Sequence, residues 1–415
     1  MKNTERVLRV AFVFLFGTFI ASPLLAQRDS LDIKIGQMIL VGFPGPEVDK
    51  DVLEAVRTGM AGSIILFEKN VPKTATAFNP LKKIIWTYQQ AAPIPLLVAI
   101  DQEGGRVNRL KDKYGFPKSI TADAMGKSKS LDSVRFYGES IASNLAGLGI
   151  NVNFAPDVDV AVNPNNPVIV KAGRSFSKQA DSVTLLAREY IRAHRKFGVI
   201  TVLKHFPGHG SSQEDTHYGV ADVTKYWREY ELTPYRSLLA SGDVDGIMSA
   251  HIVNRNLEPK GLPGTLSKRV LDSLLRKQMQ YQGVVFSDDM HMHAISKNFG
   301  LEEAIRLGIN AGIDVLCFAN NVPEAERVTV PQVHGLIKKM VSSGEISRAR
   351  IEESYRRVMT LKKRLNQDEA GFYKALADEE RRKSNELNEK LAATEKALAA
   401  ATQPAGKKKK KKRSK

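Results

Sequence analysis

Two hydrophobic periods take turns along most of this chain. Eight short, mostly apolar and often β-branched runs recur, at residues 38–43, 63–67, 96–101, 152–156, 200–204, 246–251, 284–288 and 314–318. Several are near-continuous hydrophobics, the pattern of parallel strands buried on both faces. Between them lie stretches of helical period, among them residues 181–196, 270–280 and 301–311. Strand–helix alternation predicts a parallel sheet, and eight repeats predict a closed α/β barrel of the (β/α)8 TIM type. A doubly wound open sheet is the main rival, but no glycine-rich phosphate fingerprint follows the first run. No second set of strands follows residue 330, so a single catalytic domain over residues 27–365 is expected.

The two ends fall outside this pattern. Lys2, Arg6 and Arg9 precede an apolar run over residues 10–20, Pro23 breaks it, and Ala26-Gln27 offers a small-residue cleavage point. Residues 1–26 read as a secretory signal, with a retained anchor as the alternative. The run is shorter than the roughly 20 residues that span a bilayer. The expected location is therefore exported, periplasmic or envelope-associated. From residue 366 onward the composition changes, and 379–401 is rich in helix formers with sparse apolar positions (Leu387, Leu391, Ala392, Leu398), which predicts a solvated helix. Gln403-Pro404-Ala405-Gly406 ends it, and the lysines from Lys407 to Lys412, with Arg413 and Lys415, form a basic tail. That tail is either simply solvated or adheres to an anionic envelope polymer.

Composition alters this picture little. With 42% hydrophobic residues the 415-residue chain can bury a large core. The formal charge of +17 suggests nucleic acid until its distribution is seen: removing eight charges of the tail and two of the amino terminus leaves +7 on residues 27–406. No nucleic-acid partner is expected, and the chain is expected to act as a monomer. The single cysteine, Cys317, excludes an intramolecular disulfide and a zinc site built on several thiolates.

In such barrels chemistry sits where strands end and loops begin. Ionisable side chains follow the apolar runs at five of those ends: Asp101, then Asp157 and Asp159, then Lys204-His205, then His251, then Asp288-Asp289. Any one could be a helix cap or a satisfied loop residue; together they predict a convergent polar site. The segment 204–217 is the densest, with Pro207, Gly208 and Gly210 forming an irregular turn before Asp215-Thr216-His217. A carboxylate two residues before a histidine can hold its imidazole and suit it to general acid work. A competing reading makes His205, His209, Asp215, His217, His291 and His293 metal ligands of a metal-dependent barrel hydrolase. Asp288 ends a rigid strand, where a nucleophilic carboxylate is best placed, and Asp289 is expected to be structural or capping. Paired with His217, Asp288 suggests two-step substitution at an anomeric carbon through a covalent glycosyl-enzyme.

Four segments carry a family resemblance: Asp101-Gln-Glu-Gly-Gly-Arg-Val, Asn153-Phe-Ala-Pro, Lys204-His-Phe-Pro-Gly-His-Gly with Asp215-Thr-His217, and Phe286-Ser-Asp-Asp. Over residues 30–365 the chain resembles glycoside hydrolase family 3, in its single-domain β-N-acetylhexosaminidase branch. The resemblance implies Asp288 as nucleophile, His217 as acid/base and Asp215 as its dyad partner. It implies that Asp101, Arg109, Arg174, Lys204 and His205 hold the sugar, with no metal and no cofactor. The implied substrates are β-N-acetylglucosaminyl saccharides, muropeptides or chito-oligosaccharides. A β-glucosidase-type relative and a non-catalytic envelope-binding protein are the alternatives. His291-Met292-His293 departs from the family's usual Leu-Ser-Met-Glu, a difference that bears on the leaving group.

Overall fold

All eight apolar runs become strands: β1 (Ile39–Gly42), β2 (Ser63–Leu66), β3 (Leu97–Ile100), β4 (Val152–Asn153), β5 (Ile200–Phe206), β6 (Gly246–Ser249), β7 (Val284–Asp289) and β8 (Val315–Phe318). The computed structural model describes residues 30–216, 219–322 and 326–366, with scattered positions between 381 and 395. Consecutive strands pair in parallel and β8 returns to β1, Ile39 lying opposite Leu316, so the barrel is closed. This is the (β/α)8 barrel that the alternation of periods predicts.

The near-continuous apolar strands follow from their two buried faces. Along β1, Leu40 joins the interior cluster with Ile65, Leu97, Val152, Val202, Phe286 and Cys317. Its neighbours Ile39 and Val41 belong to the outer layer against the helices, as the two-residue period of a strand requires. The predicted helices form at Ala180–Arg195 and Leu301–Ala311. The stretch 270–280 becomes a π-helical segment, Arg269–Gln278, whose buried Val270, Leu271, Leu274 and Leu275 lie on one face. Among the described residues no strand follows β8, only helices, chiefly Val330–Ser343 and Arg348–Lys362.

The last of these helices plugs the base of the barrel. Its Val358 and Leu361 join the interior cluster, and Lys362 lies beneath the strands, donating to Gln37 Oε1 at 2.6 Å and to the Gly62 carbonyl at 2.8 Å. Around it the buried carboxylates are paired. Asp314 takes Arg276 at 2.6 Å, Arg350 at 3.0 Å and Arg357 at 3.3 Å, and Asp245 takes Arg195 and Arg364, both at 2.7 Å. Buried charges persist only when paired in this way. The carboxylates sit where β6 and β8 begin, so the barrel interior is closed by ion pairs at this end.

The expected signal over residues 1–26 lies outside the described residues, as does the lysine tail. Within 379–401 the described positions, including 391–395, are helical, and Leu391 is 57% exposed. No described helix is long and apolar enough to cross a membrane.

Burial pushes the Lys362 amine down to about 7, from an ordinary value of 10.5. Between those pH values the unfolded chain binds a proton that the folded chain lacks, so this residue makes stability rise with pH across that window. Wild type is expected to gain on Lys362→Met by up to about 1.4 kcal/mol per pH unit between pH 7 and 9.5. Denaturant unfolding at several pH values checks this; a stability difference that does not change with pH refutes it.

Candidate active site

The carboxyl ends of the strands surround a cavity of about 700 Å³. Lining it are Asp101 after β3, Arg174 from the β4 connection, Lys204 and His205 of β5, Asp215 and Thr216 of the following loop, and Asp288 and Asp289 of β7. Arg109 also lines it, its guanidinium 5.3 Å from the centre of the Phe67 ring, a cation–π contact. Seven of the eight sequence-predicted site residues therefore border one cavity. His217 lies outside the described residues.

Its floor is a network of buried charge. Lys204, 2% exposed, bridges Asp101 Oδ1 at 2.8 Å and Glu103 Oε1 at 2.7 Å. Arg174 makes a two-pronged bridge to Glu103, Nη2 to Oε1 at 2.7 Å and Nε to Oε2 at 2.9 Å. Burial alone would raise the Glu103 carboxyl, but Arg174 and Lys204 outweigh it and hold it at about 2. Asp101 follows the same logic: burial raises it, and Lys204 with Arg109 carries it below the usual carboxylate value. The same partners act on Lys204, whose burial is a penalty that Asp101 and Glu103 overcome, so its pKa rises. The cation is permanent.

Deeper still, Arg174 Nη2 meets His205 Nε2 at 3.1 Å, and His205 Nδ1 meets Asp159 Oδ2 at 2.7 Å. A guanidinium only donates, so His205 Nε2 accepts and its Nδ1–H donates to Asp159. Asp159 also accepts the His209 amide at 2.7 Å, and His205 leads the groups that hold its carboxyl at about 2 against burial. Asp157 takes the opposite course. Burial, then the charge of Asp159, pushes its pKa well above the ordinary value. Its Oδ2 has no hydrogen-bond partner, Arg174 Nε being 3.4 Å away. Of the two, Asp157 is therefore the carboxyl whose charged form its surroundings disfavour.

Asp157, Asp159 and His205 offer ligand atoms within 4.8 Å of one another. Their chemistry does not suit a metal: the His205–Asp159 pair is already joined, and the Arg174 guanidinium occupies the face a cation would need. Of the other histidines of the metal reading, His209 and His293 line the same cavity as His205, and His217 lies outside the described residues. His209 Nδ1 bonds Ser212 Oγ at 2.7 Å and its Nε2 faces Thr216 Oγ1 at 3.4 Å, while His291 lines a different cavity.

The loop after β5 is built to reach back over this floor. A Cβ on Gly210 would lie 1.7 Å from the Val160 carbonyl oxygen, so only glycine lets the chain pass. Asn166 donates to the His209 and Gly210 carbonyls at 2.8 and 3.1 Å, and Asn163 to the Ser212 carbonyl at 2.8 Å. Beyond these pins come Asp215 and Thr216, and the Thr216 carbonyl accepts the Ala294 amide at 3.3 Å. That bond ties the loop of β5 to the segment that follows Asp288.

At the end of β7, Asp288 Oδ1 accepts the Asp289 amide at 2.8 Å. Asp289 Oδ1 takes the amides of Ala319 at 3.0 Å and His291 at 3.1 Å, and the Asp289 carbonyl accepts from His251 Nε2 at 2.9 Å. Asp289 is thus the structural partner that the extended geometry anticipates. Glu103, and the roles of Asp157 and Asp159 beneath His205, were not legible in the sequence. The one signal for Glu103 is its place two residues after Asp101 at a strand end.

Residues 30–361 match the family described as "Glycosyl hydrolase family 3 N terminal domain". The chain is 33% identical over 328 residues to "Beta-hexosaminidase A" of Pseudoalteromonas piscicida, aligning 75% of itself with 54% of that protein. It is 32% identical over 286 residues to a "Beta-hexosaminidase" of Tolumonas auensis, aligning 68% of itself with 83% of that protein. Among solved structures it is similar to a "glycoside hydrolase family 3 beta-N-acetylglucosaminidase" of a Paenibacillus species, with TM-score 0.75, 35% identity, and 81% of this chain on 63% of that one. It is also similar to a "Beta-N-acetylhexosaminidase" of Beutenbergia cavernae, with TM-score 0.72, 25% identity, and 81% of this chain on 99% of that one. The chain thus spans about half of the Pseudoalteromonas protein and nearly all of the Beutenbergia one.

Removing the charge of Glu103 leaves Arg174 and Lys204 buried with one carboxylate fewer. Glu103→Gln is expected to cost about 3–5 kcal/mol in denaturant unfolding, the range for a broken buried pair. An unchanged midpoint would show that the floor does not depend on this charge.

Proposed function

The chain belongs to glycosyl hydrolase family 3, and on that premise we propose that it is a retaining, exo-acting β-N-acetylhexosaminidase. Its substrates in this reading are peptidoglycan or chitin fragments with terminal β-linked N-acetylglucosamine. One observation carries the proposal: Asp288, at the rigid end of β7, shares a cavity with Asp101, Arg109, Arg174, Lys204 and Asp215. The names of the relatives support the choice of N-acetylglucosaminide over glucoside.

In this mechanism Asp288 attacks the anomeric carbon and forms a covalent glycosyl-enzyme as the leaving oxygen departs. His217 protonates that oxygen, and Asp215 orients and charges its imidazole. A water then enters, gives its proton to His217 and releases the sugar. A histidine beside Asp288 carries no negative charge in either protonation state, and so avoids the repulsion that a second carboxylate would bring. Asp101 accepts from sugar hydroxyls, while Arg109, Arg174 and Lys204 donate to sugar oxygens. Because those donors are already locked by Glu103 and Asp101, little reorganisation is needed when the substrate binds.

The same proposal places the enzyme in the envelope. Residues 1–26 would direct export, and the lysines of the tail would hold the enzyme at an anionic surface.

Asp288→Asn is expected to lower kcat on an aryl N-acetyl-β-glucosaminide by at least about 10⁴-fold; an active variant sinks the nucleophile assignment. His217→Ala is expected to lose about 10²- to 10⁴-fold on poor leaving groups and far less on activated phenols. Equal losses across a series of leaving groups would exclude the acid role. Deleting residues 407–415 is expected to release the protein from envelope fractions at a lower salt concentration than wild type requires. Identical fractionation removes the adhesion reading.

A further inference from the structure

A second cavity, of about 220 Å³, adjoins the first at the same end of the barrel. It is lined by Pro44 beyond β1, Lys69 beyond β2, His291 beyond β7, Asn320 and Val322 beyond β8, and by Glu326 and Arg327. Val322 lines both cavities, and the backbone of 291–293 runs from one to the other. Its volume is that of roughly seven water molecules, room for a small charged group with a few heavy atoms and too little for a saccharide chain. His291 belongs to the segment that departs from the family's usual sequence.

The polar groups here are incompletely satisfied. His291 is 7% exposed, stands edge-on to Phe318 with ring centres 5.9 Å apart, and neither of its ring nitrogens has a hydrogen-bond partner. Its Nδ1 lies 3.7 Å from Asp289 Oδ1, an oxygen already engaged by two backbone amides. Arg327 pairs through both terminal nitrogens with Asp49 at 3.1 Å, and its buried Nε–H is without a partner. Half-buried Lys69 donates to the Asn320 carbonyl. Burial lowers its pKa, the charge of Asp289 opposes that, and repulsion from Arg327 adds a smaller lowering. Glu326 is the only carboxylate among the described lining residues, with Asp49 and Asp289 behind the wall. An unpartnered imidazole and an unpartnered guanidinium N–H face this space together with the Lys69 ammonium. An anion answers all three.

We propose that this cavity is a subsite for a carboxylate carried by the leaving group of the substrate. Lys69 supplies the charge, and the His291 N–H supplies a directed hydrogen bond. The inference rests on the glycosidase reading and adds a leaving-group preference to it. An anion there also favours the protonated form of His291, which burial otherwise disfavours.

The test compares 3-carboxyphenyl with 3-carbamoylphenyl N-acetyl-β-glucosaminide, a pair of similar shape that differs in charge. Wild type is expected to show a KM about five- to tenfold lower for the carboxylate. Lys69→Met and His291→Gln are each expected to remove that preference, and Lys69→Arg to keep most of it, while Lys69→Met leaves kcat/KM on the carbamoyl substrate unchanged. Equal KM values in wild type, or a preference that survives Lys69→Met, overturn the subsite while turnover of the neutral substrate still supports the glycosidase. Cleavage of neither substrate overturns both. Free benzoate is expected not to inhibit neutral-substrate hydrolysis at concentrations near the carboxylate KM; competitive inhibition there would assign the cavity to a free anion and overturn its place in the substrate.

Discussion

Burying ionised groups at the open end of a barrel is the constraint from which the rest of this molecule follows. Asp101, Glu103, Asp157 and Asp159 lie within one short span of the floor, and a carboxylate out of water is tolerated only beside a cation or with a proton. Lys204 and Arg174 answer two of them, and His205 answers Asp159 through its Nδ1–H. Arg174 Nε stands 3.4 Å from Asp157, yet burial and the charge of Asp159 outweigh it and push the Asp157 pKa well above the ordinary value. Asp101, Glu103 and Asp159 are thus each held by a named partner. The donors that face the cavity are consequently fixed before any ligand arrives.

The two ends of the barrel apply the same physics to opposite purposes. At the base, Asp314 is surrounded by three arginines and Asp245 by two, and Val358 and Leu361 close the interior. At the other end the ion pairs stop one layer short of solvent, so that Asp101, Arg109 and Asp288 keep atoms facing the cavity. A barrel core stable enough to carry strain-free charge at its mouth depends on this sealed base.

How much of this could be read from residue order varies with range. Strands such as 63–66 and 97–100 are legible because burial on both faces leaves a continuous apolar run. The ends of those runs gave Asp101, Lys204 and Asp288, because an ionisable side chain directly after such a run has few structural excuses. Glu103 is not legible in this way: its partner Arg174 stands 71 residues away, and no local period joins them. The same holds for Lys362 beneath Gln37, 325 residues apart. The segment 269–278 has the apolar spacing of an ordinary helix, and only its packing makes it π-helical. Asp289 was read as structural from strand geometry alone, and the amides of Ala319 and His291 meet its carboxylate. Charge pairing across the barrel is long-range and leaves no pattern in the chain.

The remaining design question is how a loop can carry half of the proposed active site with the accuracy that a strand gives the other half. The loop after β5 solves it by being pinned from its first residues. Gly210 lies against Val160, Asn163 and Asn166 hold the carbonyls of 209, 210 and 212, and His209 joins Ser212. Burial, then the neighbouring His205, takes the His209 imidazole down to about 4, so it stays neutral and keeps its bond to Ser212 well into the acid range. Only Gln213 to Thr216 is left to span from that anchor to the opposite rim, where the Thr216 carbonyl meets the Ala294 amide. An arm of four residues fastened at both ends has little conformational freedom to lose on ordering. Asp215 is delivered by a short bridge from β5 to the segment beyond Asp288, and the groups proposed to work together are tied through the same backbone bond.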